Sequence, residues 1–114
     1  MTDCIFCRIA AKEIPSKVVY EDDQAFAFRD IHPQAPVHIL LISRKHFGSI
    51  LAIGDKDLPV LAHLTKLVPK LAKEHGLAEA GFRTVINTGS QGGQTVSHLH
   101  LHLIGGRQMT WPPG

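Results

Sequence analysis

A chain of 114 residues, 44% hydrophobic and 19% charged, has the composition of a folded globular protein and the size of a single domain over residues 1–114. Its apolar runs are too short to cross a bilayer, its net charge of +2 forms no basic stripe for nucleic acid, and two cysteines make no disulfide scaffold. Asp3 and Cys4 stand where a secretory leader would be basic and then apolar, so a cytoplasmic protein is expected, and one with an unusual eight histidines.

Ile5, Phe6 and Ile9 share a helical face, which predicts a short helix from Cys4 to about Ala11, with Asp3 as N-cap and Pro15 blocking any extension. Lys17–Tyr20 and Ala25–Arg29 then read as strands around the acidic turn Glu21-Asp22-Asp23-Gln24. The stiff His32-Pro33-Gln34-Ala35-Pro36 connection leads to a third strand, Val37–Ser43. Leu58, Leu61, Leu64, Val68, Leu71 and His75 recur at steps of three and four, predicting a long helix over Asp55–His75. Asp55 or Asp57 caps its start and Gly76 its exit, while Pro69 removes one backbone bond and should kink it. Phe82–Asn87 reads as a fourth strand, and the glycine-rich loop Thr88–Thr95 feeds a fifth, Val96–Ile104. The order predicts an α+β fold: a five-stranded antiparallel sheet with a short N-terminal helix and one long helix, with helical cover on one face.

Ser97-His98-Leu99-His100-Leu101-His102-Leu103-Ile104 alternates at the strand period. His98, His100 and His102 therefore share one face while Leu99, Leu101 and Leu103 enter the core. Three histidines on one face pack poorly and have low strand propensity, so the row reads as a site. Two chemistries fit. His100 and His102 with a further ligand suit a divalent cation; alternatively, a neutral imidazole attacks phosphorus while its neighbours hold phosphate oxygens. Asn87-Thr88-Gly89-Ser90-Gln91-Gly92-Gly93-Gln94-Thr95 offers backbone N–H groups, an amide and hydroxyls without Cβ obstruction at three glycines. Beside the histidines it favours phosphoryl chemistry, although it is no Walker loop. His38, in an apolar strand, joins the row as a site residue; His32, His63 and His75 read as surface or helix-end residues. By type, Ile5, Phe6, Ile9, Phe28 and Ile31 are ordinary core residues, and Asp30 suits a turn cap.

The run His98-Leu99-His100-Leu101-His102-Leu103-Ile104 resembles the signature of the histidine triad (HIT) family. The flanking Asn87, Gly93-Gln94-Thr95, Gly105-Gly106-Arg107-Gln108-Met109 and Trp111-Pro112-Pro113-Gly114 are similar to its Hint branch. So are Ile14-Pro15, Tyr20-Glu21-Asp22, and Phe28 through Asp30 to Gln34-Ala35-Pro36 and His38. The resemblance implies a homodimeric, purine nucleotide-binding hydrolase of phosphoramidate or acyl-phosphate linkages to AMP, with adenosine phosphoramidates and aminoacyl-adenylates as substrates. It needs no cofactor for catalysis. Its alternative is a nucleotide-sensing dimer whose main role is partner binding. By position, His100 matches the nucleophile that takes the nucleotidyl group. His102 and His38 match residues around the phosphate, and the backbone of His98 matches the group orienting His100. Asn87, Gly93 and Thr95 match phosphate and ribose contacts, with Thr95 where serine is more usual. Ile5, Phe6, Ile9, Phe28 and Ile31 match the purine slot, and Asp30 the residue holding the ribose hydroxyls. Trp111 and the prolines beside it match a pinned tail near the partner's site.

Cys4 and Cys7, three residues apart on a first helical turn, face the same way and supply half a zinc site, or are two small buried residues. His46 and His98 would complete a tetrahedron. The resemblance implies zinc here in some bacterial members, whereas the animal Hint branch usually lacks the cysteines. Such a structural zinc, on Cys4, Cys7, His46 and His98, would clip the first helix to the histidine strand.

Overall fold

Short apolar segments separated by turns build one sheet. The computed structural model describes residues 3–114. It orders β1 (Val18–Glu21), β2 (Ala25–Arg29), β3 (Val37–Ser43), β4 (Phe82–Val85) and β5 (His100–Gly105) as β1-β2-β3-β5-β4. All neighbouring pairs are antiparallel. The central register sets Leu40 opposite His102, Leu41 opposite Leu101 and Ile42 opposite His100.

That register sorts the side chains into two layers. Ala25, Ala27, Ile39, Leu41, Leu101 and Leu103 pack against Leu64, Leu67, Val68, Leu71 and Ala72 of α2 (Leu58–Glu74). Phe26, Phe28, Leu40 and Ile42 pack against Phe6, Ile9 and Ala10 of α1 (Ile5–Ala10). Helices therefore cover both faces rather than the one expected, because the second face of β2 and β3 is as apolar as the first and must also leave water. No helix among the described residues is long and apolar enough to cross a membrane.

The elements stop where backbone hydrogen bonds find other partners. Cys4, not Asp3, is the N-cap of α1: its Sγ accepts the Cys7 N–H at 3.4 Å. The fifth strand begins at His100 instead of Val96. The Leu99 N–H is taken by the Phe47 carbonyl at 2.7 Å, and the His98 N–H turns back to the Val96 carbonyl at 2.9 Å. β4 ends at Val85, two residues before Asn87. Asp55–Asp57 forms a separate 3₁₀ turn before α2, and a further turn at Ile50–Ala52 is capped by Ser49. α2 continues through Pro69 to Glu74. It closes at Gly76, whose φ of 72° only glycine adopts readily, while Leu77 N–H bonds to the Ala72 carbonyl at 2.8 Å.

Candidate active site

β3 and β5 lie side by side at the centre of the sheet, so their histidines meet on the face that α1 covers. His38 Nδ1 accepts the Gln34 backbone N–H at 3.0 Å. In the neutral ring this places the proton on Nε2, which donates to His102 Nδ1 at 2.9 Å. His102 is thereby left with an Nε2–H donor. His100 Nδ1 lies 2.6 Å from the His98 carbonyl oxygen. A carbonyl only accepts, so Nδ1 carries the proton and Nε2 of His100 keeps the lone pair. The two rings stand with centroids 5.0 Å apart. The edge of Phe6 meets His100 at 5.0 Å between centroids. One relay thus ends in a donor and the other in a lone pair.

Burial favours the neutral rings of His38 and His102. His38 and His100 are each 5% exposed. Desolvation pushes the pKa of His38 below 6.5 against the opposing pull of Asp30. Desolvation, with His100 and His38 beside it, lowers His102 to about 4. Asp30 caps the turn, as its residue type suggests, with Oδ1 accepting His32 N–H at 2.8 Å, while Oδ2 lies 3.4 Å from His38 Nε2. A cavity of about 640 Å³ opens there, lined by Lys17, Arg29, Asp30, Ile31, Pro36 and His38 among others.

The residues matched to a purine slot divide by burial. Phe6, Ile9 and Phe28 are buried between α1 and the sheet, as ordinary core residues would be, whereas Ile5 and Ile31 are exposed. Trp111 is 84% exposed, so the tail is not pinned on its own chain at that ring; just before it, Arg83 donates to the Thr110 carbonyl at 2.9 Å. Asn87, Gly93 and Thr95 sit in the loop between β4 and β5, with no hydrogen bond to the histidines among the described residues. The loop is tightly wound. A Cβ on Gly92 would come within 2.3 Å of the Thr88 carbonyl oxygen, so no other residue fits.

Sequence reasoning did not single out what holds the loop. The Gln94 amide accepts from Gly89 N–H at 3.0 Å and donates to the Gly48 and Val96 carbonyls at 2.8 and 2.9 Å. Nor did it find that His63, on α2, pairs with Asp22 Oδ2 at 2.6 Å. Gln34 reaches His38 through its backbone N–H, which no residue type announces.

Cys4, Cys7, His46 and His98 form a second constellation, with one donor atom from each all within 4.8 Å of one another. His98 Nδ1 lies 3.3 Å from Cys4 Sγ, 3.5 Å from Cys7 Sγ and 3.1 Å from His46 Nδ1; Cys7 Sγ lies 3.4 Å from His46 Nδ1. A tetrahedron at usual zinc bond lengths needs N–N edges of about 3.3 Å and N–S edges of about 3.6 Å, so the set fits a metal ion. The tautomer agrees: His98 Nε2 donates to the Ser43 carbonyl at 2.7 Å, leaving the Nδ1 lone pair facing the thiols. Asp30, His38 and His102 also cluster. There the Gln34 N–H at Nδ1 puts the proton on His38 Nε2, and the group is a hydrogen-bond relay instead.

The family model described as "HIT domain" matches residues 11–109. The chain is 54% identical over 114 residues to a 14 kDa zinc-binding protein of Brassica juncea, covering 98% of this chain and all of that one. It is 54% identical over 112 residues to "Adenylylsulfatase HINT1" of Arabidopsis thaliana, covering 96% of this chain and 76% of the relative. The crystal structure of a HIT family hydrolase from Legionella pneumophila superposes with a TM-score of 0.96 at 54% identity, covering 98% of this chain and all of that one.

Proposed function

The chain belongs to the HIT domain family, and we propose that it hydrolyses phosphoramidate or acyl-phosphate linkages to AMP through a covalent nucleotidyl-His100 intermediate. The observation that carries this is the 2.6 Å bond from His100 Nδ1 to the His98 carbonyl, which leaves Nε2 as a nucleophile of fixed tautomer. In this reading Nε2 attacks the α-phosphorus, the P–N or P–O bond to the leaving group breaks, and the leaving group takes a proton as it departs. Water then attacks the same phosphorus, releasing AMP and restoring His100. His102 Nε2–H and loop N–H groups around Gly93 hold the phosphate oxygens as charge develops, each well-placed donor worth about 10²–10³ in rate. Thr95 supplies a hydroxyl near the leaving group. Asp30 receives the ribose hydroxyls; Ile5 and Ile31 form the exposed walls of a purine slot floored by Phe6, Ile9 and Phe28.

Zinc on Cys4, Cys7, His46 and His98 would be structural, since four protein ligands close the shell and leave no open position. Its thiolate ligands suit a reducing compartment, the cytoplasm. A homodimer would place the exposed Trp111 of one protomer near the site of its partner. The fourth strand is a sheet edge, and Phe82 in it is 38% exposed, which suits pairing with a second copy.

The test is AMP release from adenosine 5′-phosphoramidate by wild type and His100→Ala side by side. Turnover is expected to vanish in the variant while AMP binding persists. Equal turnover by both refutes covalent catalysis, and AMP binding without turnover by wild type makes the protein a nucleotide-binding module.

A further inference from the structure

Three independent ties run from the Cys4–Cys7 pair into the candidate active site. Phe6 sits between the two cysteines in sequence, and its ring meets His98 at 6.0 Å, His100 at 5.0 Å and Phe28 at 5.5 Å. His98 presents Nδ1 to both thiols while its own carbonyl takes the His100 Nδ1–H. Cys4 caps α1, a helix of six residues that is far too short to persist without tertiary anchors. The thiols are thus in contact, through Phe6 and His98, with both the slot floor and the group that sets the tautomer of His100. The cluster is also reachable. His46 is exposed, both cysteines are partly so, and a cavity of about 460 Å³ lined by Asp3, Cys4, Ile5, His46, Thr95 and Val96 opens beside them.

We propose that Cys4 and Cys7 form a redox latch that sets nucleotide affinity and the orientation of His100. The oxidant is a small disulfide or a diazene such as diamide. The two thiolates give up two electrons, a Cys4 Sγ–Cys7 Sγ bond forms, and the oxidant's S–S bond is cleaved to two thiolates, or its N=N bond takes the two electrons together with two protons from water and becomes the hydrazine. Both cysteines cease to be metal ligands in that step. His98 then loses its anchor on the thiol side, and α1 with Phe6 is held by packing alone. The affinity arm rests on the AMP-binding reading above; the His100 arm does not.

The experiment uses reduced, zinc-loaded protein treated with diamide. Disulfide formation is followed by loss of two hydrogens in the intact mass, zinc release by a chromogenic chelator, AMP affinity by calorimetry and the His100 ring by ¹⁵N NMR. Expected are a disulfide, stoichiometric zinc release, an AMP Kd raised about tenfold or more, and His100 nitrogen signals moving from one tautomer to an average of two. Reductant with zinc reverses all four. Cys4→Ser/Cys7→Ser protein should match the oxidised form and ignore diamide. A disulfide with unchanged His100 signals overturns the latch. So does failure of the reduced protein to take up zinc, or failure of the thiols to oxidise. Loss of the far-UV circular dichroism on oxidation also overturns it, by assigning the cluster to global folding. Should the reduced protein bind no AMP, the functional reading fails and the His100 signals alone decide the latch.

Discussion

Acid should weaken this protein through His102 in a way that a single substitution can isolate. The ring is surrounded by His38, His100 and, beyond His38, Asp30. Desolvation and the two histidines lower its pKa from 6.5 to about 4. The unfolded chain takes up this proton near pH 6.5, whereas the folded chain holds it off until about pH 4. Between those values the unfolded state binds more protons, so stability falls as pH falls, and the contribution levels out below about pH 4. The full displacement corresponds to about 3 kcal/mol, with about 2 kcal/mol already gone at pH 5. Carboxylates titrate in the same range, so the measurement is a difference. Urea unfolding of wild type and His102→Asn is compared at pH 7, 6, 5 and 4. Asparagine keeps an acceptor where Nδ1 takes the His38 proton but has no proton to gain. The stability gap between the two proteins should shift by about 2–3 kcal/mol in favour of the variant over this range. Parallel curves would refute the claim that a buried neutral His102 is charged at a cost.

Three further outcomes follow from the geometry. Gly92→Ala should lower kcat/KM on adenosine 5′-phosphoramidate by about a hundredfold or more while leaving the circular dichroism unchanged, because its Cβ forces the loop proposed to hold the phosphate off the Thr88 carbonyl. Gln94→Leu removes three loop hydrogen bonds and should cost about 2–3 kcal/mol in urea unfolding. Burial alone would raise the Asp22 pKa, but bonds from Tyr20, Gln24, His63 and Ala25 outweigh it and hold the carboxylate at about 2. This stabilisation is present above about pH 4 and is lost as pH falls towards 2. Asp22→Asn should therefore cost about 2 kcal/mol at pH 7 and much less at pH 2.5, as read by chemical denaturation.

The strand period alone determined that Leu101 and Leu103 point into the core and that His100 and His102 share the opposite face, because side-chain alternation is a local property of extended backbone. Apolar spacing likewise determined β2, β3 and the body of α2, and the glycines of the loop announced backbone without Cβ obstruction, which the approach of the Thr88 carbonyl requires at Gly92. The boundaries at Val96–Leu99 were not local. They depend on the Phe47 carbonyl, some fifty residues away in sequence, capturing the Leu99 N–H. The same holds for the chemistry of the site. Sequence could nominate His38, His98, His100 and His102, but which nitrogen of each carries the proton is decided by Gln34, Ser43 and the His98 carbonyl. A histidine's tautomer belongs to its partners, and here each relay starts from a backbone group: Gln34 N–H for His38 and through it His102, the Ser43 carbonyl for His98 and the His98 carbonyl for His100.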